Sequence, residues 1–224
     1  MPRPPAVTHA MEDYLKAIFQ LTEEKGGTVS TTGLAERLAV APASVTNMLK
    51  KLAELELVQH EPYRGVVLTS AGRKIALEII RHHRLIELYL VEALGMGWDE
   101  VHEEAERLEH VISEAFEDRI SAALKDPRFD PHGDPIPTKE LEYRPGGLVS
   151  LADLAPGAEA VVGRVSDRDP GVLRRLADLG LFPNTGVRMV ERDAATGIVR
   201  VAVEGAVRAV AADLARAVQV APRR

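Results

Sequence analysis

Three side chains of the kind that bind divalent cations recur at helical spacing in the middle of the chain, at Glu106, Glu109 and His110. Residues three and four apart lie on one face of a helix, so these groups are expected to converge on one point. His83 and Glu87 have the same spacing further upstream. Carboxylate oxygens and imidazole nitrogens together form a hard site for a divalent cation. The pattern therefore predicts metal binding.

Two more residues extend these sets. His102 lies one turn before Glu106 and could share an ion with the upstream pair. Asp13 could complete the set around His110 if the first helix packs nearby. The ordinary alternative for any single histidine is a surface or hydrogen-bonded core residue. Several ligand types on two consecutive helices favour the metal site.

Composition restricts the class of protein. The 224 residues suit one large domain or two to three small ones, and the absence of Cys excludes disulfides, thiolate nucleophiles and cysteine-ligated metals. Residues 81–140 hold 15 Asp/Glu against 7 Lys/Arg, so the acid is concentrated around the candidate ligands. No apolar signal core or run of ~18 apolar residues is present. We therefore expect a cytoplasmic protein with no membrane partner.

The N-terminal part has the pattern of a winged helix-turn-helix. A short helix capped by Thr31 or Thr32 is expected, followed by a turn and a second helix that begins at Pro42. Two short strands at 57–60 and 66–69 then form a hairpin, the wing. This order of elements is typical of proteins that bind double-stranded DNA.

The second helix of this motif presents small polar and basic side chains outward. Asn47 can pair with adenine, and Ser44 and Thr46 can reach base edges or phosphates. Basic residues of this helix and the wing would contact phosphate, which gives affinity without sequence information. The predicted DNA contacts are Thr32, Ser44, Thr46, Asn47, Lys50, Lys51 and Arg64. The alternative is a plain helical hairpin with solvated polar residues.

The rest of the chain divides into a helical and a β-rich part. Two long helices are expected over 71–94 and 99–124, and the Pro- and Gly-containing stretch 126–147 is interpreted as a connecting segment. A small β-barrel follows. Its predicted strands span 161–165, 187–192, 198–203 and 207–210, with one helix at 172–179.

The chain does not have the pattern of an enzyme. A His-Glu-x-x-His zinc peptidase motif needs a second imidazole where this chain has Glu106, four residues after His102. No Gly-rich phosphate loop and no nucleophile-elbow serine are present. We therefore expect no catalysis and no small organic substrate. The remaining enzymatic alternative is a metal-dependent hydrolase with a vestigial DNA-binding domain.

Seven segments resemble the diphtheria toxin repressor family of metal-dependent regulators, and within it the manganese transport regulators. The resemblance covers essentially the whole chain. The segments are Met11-Glu-Asp-Tyr-Leu15, Ala41-Pro-Ala-Ser-Val-Thr46, Tyr63-Arg-Gly-Val-Val-Leu-Thr69, His83-Arg-Leu-Ile-Glu87, Val101-His-Glu-Glu-Ala-Glu-Arg-Leu-Glu-His110, Pro131-His-Gly-Asp-Pro-Ile-Pro137 and Leu179-Gly-Leu-Phe-Pro183. The last one is similar to the SH3-like domain of ferrous-iron transport accessory proteins.

The resemblance implies a homodimer joined through the helices after the wing. The implied fold is mainly α in its N-terminal part, with a winged helix-turn-helix and a helical dimerisation domain, followed by a small all-β SH3-like barrel. The expected boundaries are 1–73 for the DNA-binding domain, 74–140 for the helical metal-binding and dimerisation domain, 141–150 for a linker and 151–224 for the SH3-like (FeoA-like) domain.

The resemblance also implies two metal sites. The primary site corresponds to Asp13, Glu106, Glu109 and His110, and the ancillary site to His83, Glu87 and His102. The barrel of three-domain members adds oxygen ligands to the ancillary site, here Asp169, with Asp167 as the alternative. Iron-type members use a Met and a Cys where this chain has Asp13 and Glu106, so the donor set resembles the manganese type. Lys16 is a departure, since manganese-type members often have an acid there.

Together these features predict a dimeric, Mn²⁺-responsive transcription factor. The metal would act as corepressor, and the dimer would bind a palindromic operator and control metal-uptake genes. Fe²⁺ is the alternative metal, and Zn²⁺ is expected to bind such a site in vitro. The other alternative is a winged-helix regulator whose effector is a small molecule or peptide at the barrel, with metal only structural.

Overall fold

The computed structural model describes residues 7–61, 64–193 and 196–223. Pro62 and Tyr63 of the predicted wing lie outside the described residues. The chain forms two compact units, each assembled from separate stretches of sequence. The first unit comprises Met1–His82, Glu109–Ile112 and Pro137–Tyr143. The second comprises His83–Leu108, Ser113–Ile136 and Arg144–Arg224.

The first unit is built around three helices and a two-stranded antiparallel hairpin. Its elements are α1 (His9–Lys25), α2 (Thr31–Leu38), α3 (Pro42–Glu54), β1 (Val58–Glu61) and β2 (Gly65–Leu68). Apolar side chains at helical spacing pack together to form its core, among them Leu15, Ile18, Leu34, Leu49 and Leu52. The predicted winged helix-turn-helix is confirmed.

The ends of α2 set the turn of this motif. The N-terminal cap is Ser30, whose hydroxyl accepts a hydrogen bond from the backbone N–H of Gly33 at 3.0 Å. The predicted cap at Thr31 or Thr32 is wrong, because Thr31 is already the first helical residue. At the other end Ala39 has a φ of 52°, a left-handed conformation that ends the helix and starts the turn.

The helices after the wing differ from the prediction in one respect. Helix α4 (Ser70–Leu94) contributes residues to both units, and the second unit also contains α5 (Val101–Leu108) and α6 (Glu114–Ala123). The single helix predicted over 99–124 is therefore wrong. The segment Glu109–Ile112 interrupts it, and the chain restarts as α6 at Ser113, whose hydroxyl accepts from the N–H of Phe116.

The stretch interpreted as a connecting segment is packed over much of its length. In the second unit Asp130 and His132 are buried, and Asp130 Oδ1 accepts from the backbone N–H groups of His132 and Asp134, both at 2.9 Å. In the first unit Tyr143 packs edge-on against Phe19, with ring centroids 5.2 Å apart. The interpretation as a simple connector is wrong for these residues, because they bury side chains.

The C-terminal part is a six-stranded antiparallel sheet in the order β3-β8-β4-β5-β6-β7. Its elements are β3 (Val149–Ser150), β4 (Glu159–Val165), α7 (Pro170–Asp178), β5 (Gly186–Asp193), β6 (Ile198–Val203), β7 (Ala206–Ala211), α8 (Ala212–Arg216) and β8 (Val218–Pro222), with a 3₁₀ turn at Leu151–Asp153. Alternate residues such as Val199, Val201 and Val203 form its core. The predicted all-β domain is confirmed. None of the described helices is long and apolar enough to cross a membrane.

Candidate metal centre

Asp13, Glu109 and His110 come together in the first unit and are called the first-unit site. Helix α1 supplies Asp13, and the segment that follows α5 supplies the other two. Asp13 Oδ1 lies 2.8 Å from His110 Nε2, and Glu109 Oε1 lies 3.5 Å from the same nitrogen. One donor atom of each residue is within 4.8 Å of the others, so the three can reach one cation.

His110 is held from both sides of its ring. Its Nδ1 lies 2.7 Å from Oε2 of Glu12, a buried carboxylate that sequence reasoning did not single out. Burial alone would lower the pKa of His110, but Asp13, Glu12 and Glu109 together raise the pKa to about 9. Glu12 also fixes the orientation of the ring that presents Nε2 to the site.

Lys16 forms an ion pair with a candidate ligand. Its Nζ lies 2.7 Å from Oε2 and 3.0 Å from Oε1 of Glu109. Both side chains are buried. The sequence showed a cation one turn after Asp13, and the structure shows that this cation binds Glu109 itself.

Glu106, the fourth residue predicted for the primary site, belongs to the second unit. There its Oε1 lies 3.8 Å from His102 Nε2 and 3.9 Å from His83 Nδ1. Its side chain is 43% exposed, so it has room to change conformation. Its role beside Asp13 stays a proposal.

His83, Glu87, His102 and Asp167 come together in the second unit and are called the second-unit site. Glu87 Oε1 lies 3.1 Å from His83 Nε2 and 3.2 Å from His102 Nδ1. The two nitrogens are themselves 3.2 Å apart. Donor atoms bound to one ion at ~2.1 Å stand roughly 3.0–3.4 Å from each other, so this spacing suits a shared cation.

The barrel residue at this site is Asp167, the alternative, and not Asp169. Asp167 Oδ2 lies 3.5 Å from His102 Nδ1. Asp169 caps α7 instead, its Oδ1 accepting a hydrogen bond from the N–H of Gly171 at 2.7 Å. The assignment of Asp169 is corrected accordingly, because the carboxylate at a helix N-terminus is already used by backbone donors.

A third group, Glu87, Asp130 and His132, is buried in the second unit and is called the inner cluster. The sequence analysis did not predict this cluster. Asp130 directly precedes the segment 131–137, which resembles the family, and His132 lies within that segment. Glu87 Oε2 lies 3.6 Å from His132 Nδ1. Among the described residues these are the two buried side-chain atoms without a hydrogen-bond partner. Unpartnered oxygen and nitrogen atoms that face each other fit a bound cation.

The electrostatics of the inner cluster also favour a bound cation. Burial alone would raise the pKa of Glu87, but the three imidazoles around it lower the pKa well below its usual range. Burial and the nearby carboxylates of Asp134 and Glu87 raise the pKa of Asp130 well above its usual range. Burial alone would lower the pKa of His132, but Glu87 and Asp130 raise it to about 10. The cluster thus retains protons in the absence of another cation.

The predicted DNA contacts are on the surface of the first unit. The exposed residues are Thr32, Ser44, Asn47, Lys50, Lys51 and Arg64. Thr46 is half-buried, and its hydroxyl donates to the carbonyl of Pro42 at 3.1 Å. Arg64 pairs with Glu61 at 3.0 Å in an exposed ion pair, which contributes little stability and does not prevent contact with phosphate.

A winged helix-turn-helix followed by helices with clustered carboxylates and imidazoles defines a metal-dependent DNA-binding regulator. Family models match in three places: "Iron dependent repressor, N-terminal DNA binding domain" at residues 6–66, "Iron dependent repressor, metal binding and dimerisation domain" at 69–138, and "FeoA domain" at 149–222. The chain belongs to the iron-dependent repressor family, and it is a metal-dependent transcriptional repressor and not an enzyme. Its partners are DNA and, through the dimerisation domain, a second copy of the chain.

Relatives of both metal types are similar to the chain. The iron-dependent repressor IdeR of Mycobacterium tuberculosis (strain ATCC 25618 / H37Rv) is 36% identical over 188 residues, which cover 79% of this chain and 81% of that protein. The regulator MntR of Bacillus subtilis (strain 168) is 42% identical over 113 residues, 50% of this chain and 78% of that one. A solved manganese-dependent transcriptional repressor in complex with manganese is 39% identical, with a TM-score of 0.90, and covers 95% of this chain and 100% of that one.

Proposed function

We propose that the protein is a cytoplasmic, Mn²⁺-responsive repressor that binds a palindromic operator as a homodimer and controls metal-uptake genes. The absence of sulfur from the donor set carries the choice of metal. The chain has no Cys, and Met11, the methionine nearest to Asp13 in sequence, is buried in the core of the first unit. Carboxylate and imidazole donors suit Mn²⁺ better than sulfur donors do.

The proposed ligands link metal to DNA through α1. A divalent ion bound by Asp13, Glu109 and His110 would fix α1 against the segment that follows α5. Helix α1 packs in the same core as α2 and α3, through residues such as Leu15 and Ile18. Holding α1 therefore biases the position of α3, which must reach major grooves separated by roughly 34 Å in a dimer. A coupling of about 1–3 kcal/mol, or 5–150-fold in affinity, is the usual range for such linkage.

Iron is the second candidate metal. The iron-dependent relative covers 79% of this chain, whereas the manganese-type relative from Bacillus covers 50%. Against this, the clustered Asp, Glu and His side chains of the described residues offer oxygen and nitrogen atoms, and the chain has no Cys. The two metals have to be compared on the same protein under anaerobic conditions.

The experiment is selection of binding sites from random duplex DNA by chelator-stripped protein, without metal, with Mn²⁺ and with Fe²⁺ under anaerobic conditions, all at one salt concentration. Enrichment of a palindrome with Mn²⁺ at lower concentration than with Fe²⁺ is the expected result. Enrichment at a lower concentration of Fe²⁺ than of Mn²⁺ would favour an iron-responsive regulator. Equal enrichment with and without metal would refute the corepressor role and favour an effector of another kind.

A further inference from the structure

Lys16 and Glu109 form a buried ion pair between residues 93 positions apart in sequence. The Lys16 side chain is 7% exposed and that of Glu109 is 0% exposed. Charges this deeply buried are stable only when paired, and removal of one partner leaves an uncompensated charge. The pair therefore holds the segment that carries Glu109 and His110 against α1.

The pair uses the same carboxylate that the first-unit site offers to a cation. Lys16 Nζ is within hydrogen-bond distance of both oxygens of Glu109, and Oε1, which faces His110 Nε2, is one of them. A cation that approaches the site meets a carboxylate whose negative charge is already neutralised. It also meets the positive charge of Lys16 at short range, in surroundings where such charges are weakly screened.

We propose that Lys16 lowers the metal affinity of the first-unit site, because its ammonium group competes with the divalent ion for Glu109. This inference rests on the proposed function, in that Asp13, Glu109 and His110 bind the metal. In the metal-free protein Lys16 joins α1 to the Glu109 segment, as the metal does when bound. Its fixed charge raises the metal concentration at which the regulator responds.

A purely structural role for Lys16 makes a different prediction. A lysine that only stabilises the fold would, on replacement, lower stability and leave metal affinity unchanged or weaker. A competing lysine would, on replacement, lower the stability of the metal-free protein while metal affinity rises. The two measurements therefore separate the two roles.

The test compares full-length Lys16→Gln and Lys16→Arg proteins with the unmodified chain by calorimetric Mn²⁺ titration. All carry His102→Ala, Asp167→Ala and His132→Phe, which remove candidate ligands of the second-unit site and of the inner cluster. Lys16→Gln removes the charge but keeps an N–H donor for Glu109, and should tighten Mn²⁺ binding about tenfold or more. Lys16→Arg keeps the charge and should stay within about threefold of the unmodified affinity.

Unchanged or weaker binding by Lys16→Gln would overturn the proposal. If that variant folds only with metal present, the rate of Mn²⁺ release to a chelator replaces the titration, and release must be slower than from the Lys16→Arg protein. Failure of the proposed function itself has another signature. In that case Asp13→Asn would bind Mn²⁺ as tightly as the unmodified site, whatever residue stands at position 16.

Discussion

Glu87 Oε2 and His132 Nδ1 face each other 3.6 Å apart in the interior of the second unit. His132 Nε2 donates to the backbone carbonyl of Trp98 at 2.8 Å, so the neutral ring has only a lone pair at Nδ1. A cation between these two acceptor atoms would stabilise both, and the raised pKa of His132 favours a proton on Nδ1 at neutral pH. A metal ion that binds at Nδ1 would have to replace that proton.

Replacement of His132 should weaken metal binding in the second unit. The change His132→Phe keeps a ring in the buried position but removes the nitrogen that faces Glu87, so Mn²⁺ affinity should fall about 10–100-fold. Titration in an Asp13→Asn background, which weakens the first-unit site, isolates this effect. The control is His60→Phe, on the hairpin of the first unit. Equal affinity of the two variants would remove His132 from the list of ligands.

The stability of the metal-free protein should fall as pH rises from 6.5 to about 9. The pKa of His110 is raised from 6.5 to about 9 in the folded chain, so the folded state binds its proton more tightly than the unfolded state. The resulting stability is fully present below pH 6.5 and is lost as pH rises through about 9. Mn²⁺ affinity should rise over the same interval, because the proton must leave Nε2.

Thermal unfolding at several pH values checks this, with His110→Gln as the comparison. The variant should lose the contribution of His110 to the slope between pH 6.5 and about 9, and the contribution of His132, which extends from pH 6.5 to about 10, should remain. Identical profiles for the two proteins would contradict the assignment.

Asn47 and Lys50 should differ in how they affect DNA binding. Asn47→Ala removes a base contact and should cost about 1–3 kcal/mol on the operator, with relaxed specificity at one position. Lys50→Ala removes a phosphate contact, so it should weaken binding to all sequences alike and lower the salt slope by about 1. Binding isotherms at several salt concentrations, on operator and scrambled duplex, separate the two effects. A change confined to the operator in the Lys50→Ala protein would contradict its assignment.

Gly133 should be intolerant of a side chain. Its φ is +89°, and a Cβ at this position would collide with the carbonyl oxygen of Gly163 in β4. Gly133→Ala should therefore destabilise the protein by at least about 1–3 kcal/mol and displace the neighbouring His132. Gly147→Ala, where a Cβ meets no atom within 4 Å, is the matched control. Equal melting temperatures would show that the loop can shift without loss.

The winged helix-turn-helix and most of the sheet follow from local patterns in the sequence. Pro42 indicated the start of α3, and the strands predicted over 161–165, 187–192, 198–203 and 207–210 correspond to β4 to β7. The break between α5 and α6 escaped prediction because Glu109 and His110 leave the helix to contact α1, a contact between residues almost a hundred positions apart. Helical spacing carries no information on such a contact.

The candidate ligand residues show the same limit. His83 and Glu87 are one turn apart on α4, so their proximity was predictable. The role of His132 depends on how its loop packs against α4, and spacing gives no sign of it. Asp169 is different, because an Asp directly before a Pro is a typical start of a helix. That local signal favoured a cap at Asp169, which leaves Asp167 as the barrel residue of the second-unit site.

Glu87 takes part in both groups of the second unit, through Oε1 with His83 and His102 and through Oε2 with His132. The second unit therefore has two sets of candidate ligands. Both sets depend on the same carboxylate, that of Glu87, and share its single negative charge. An ion at either position withdraws electron density from the donor that the other position needs, so the two positions titrate as one coupled pair.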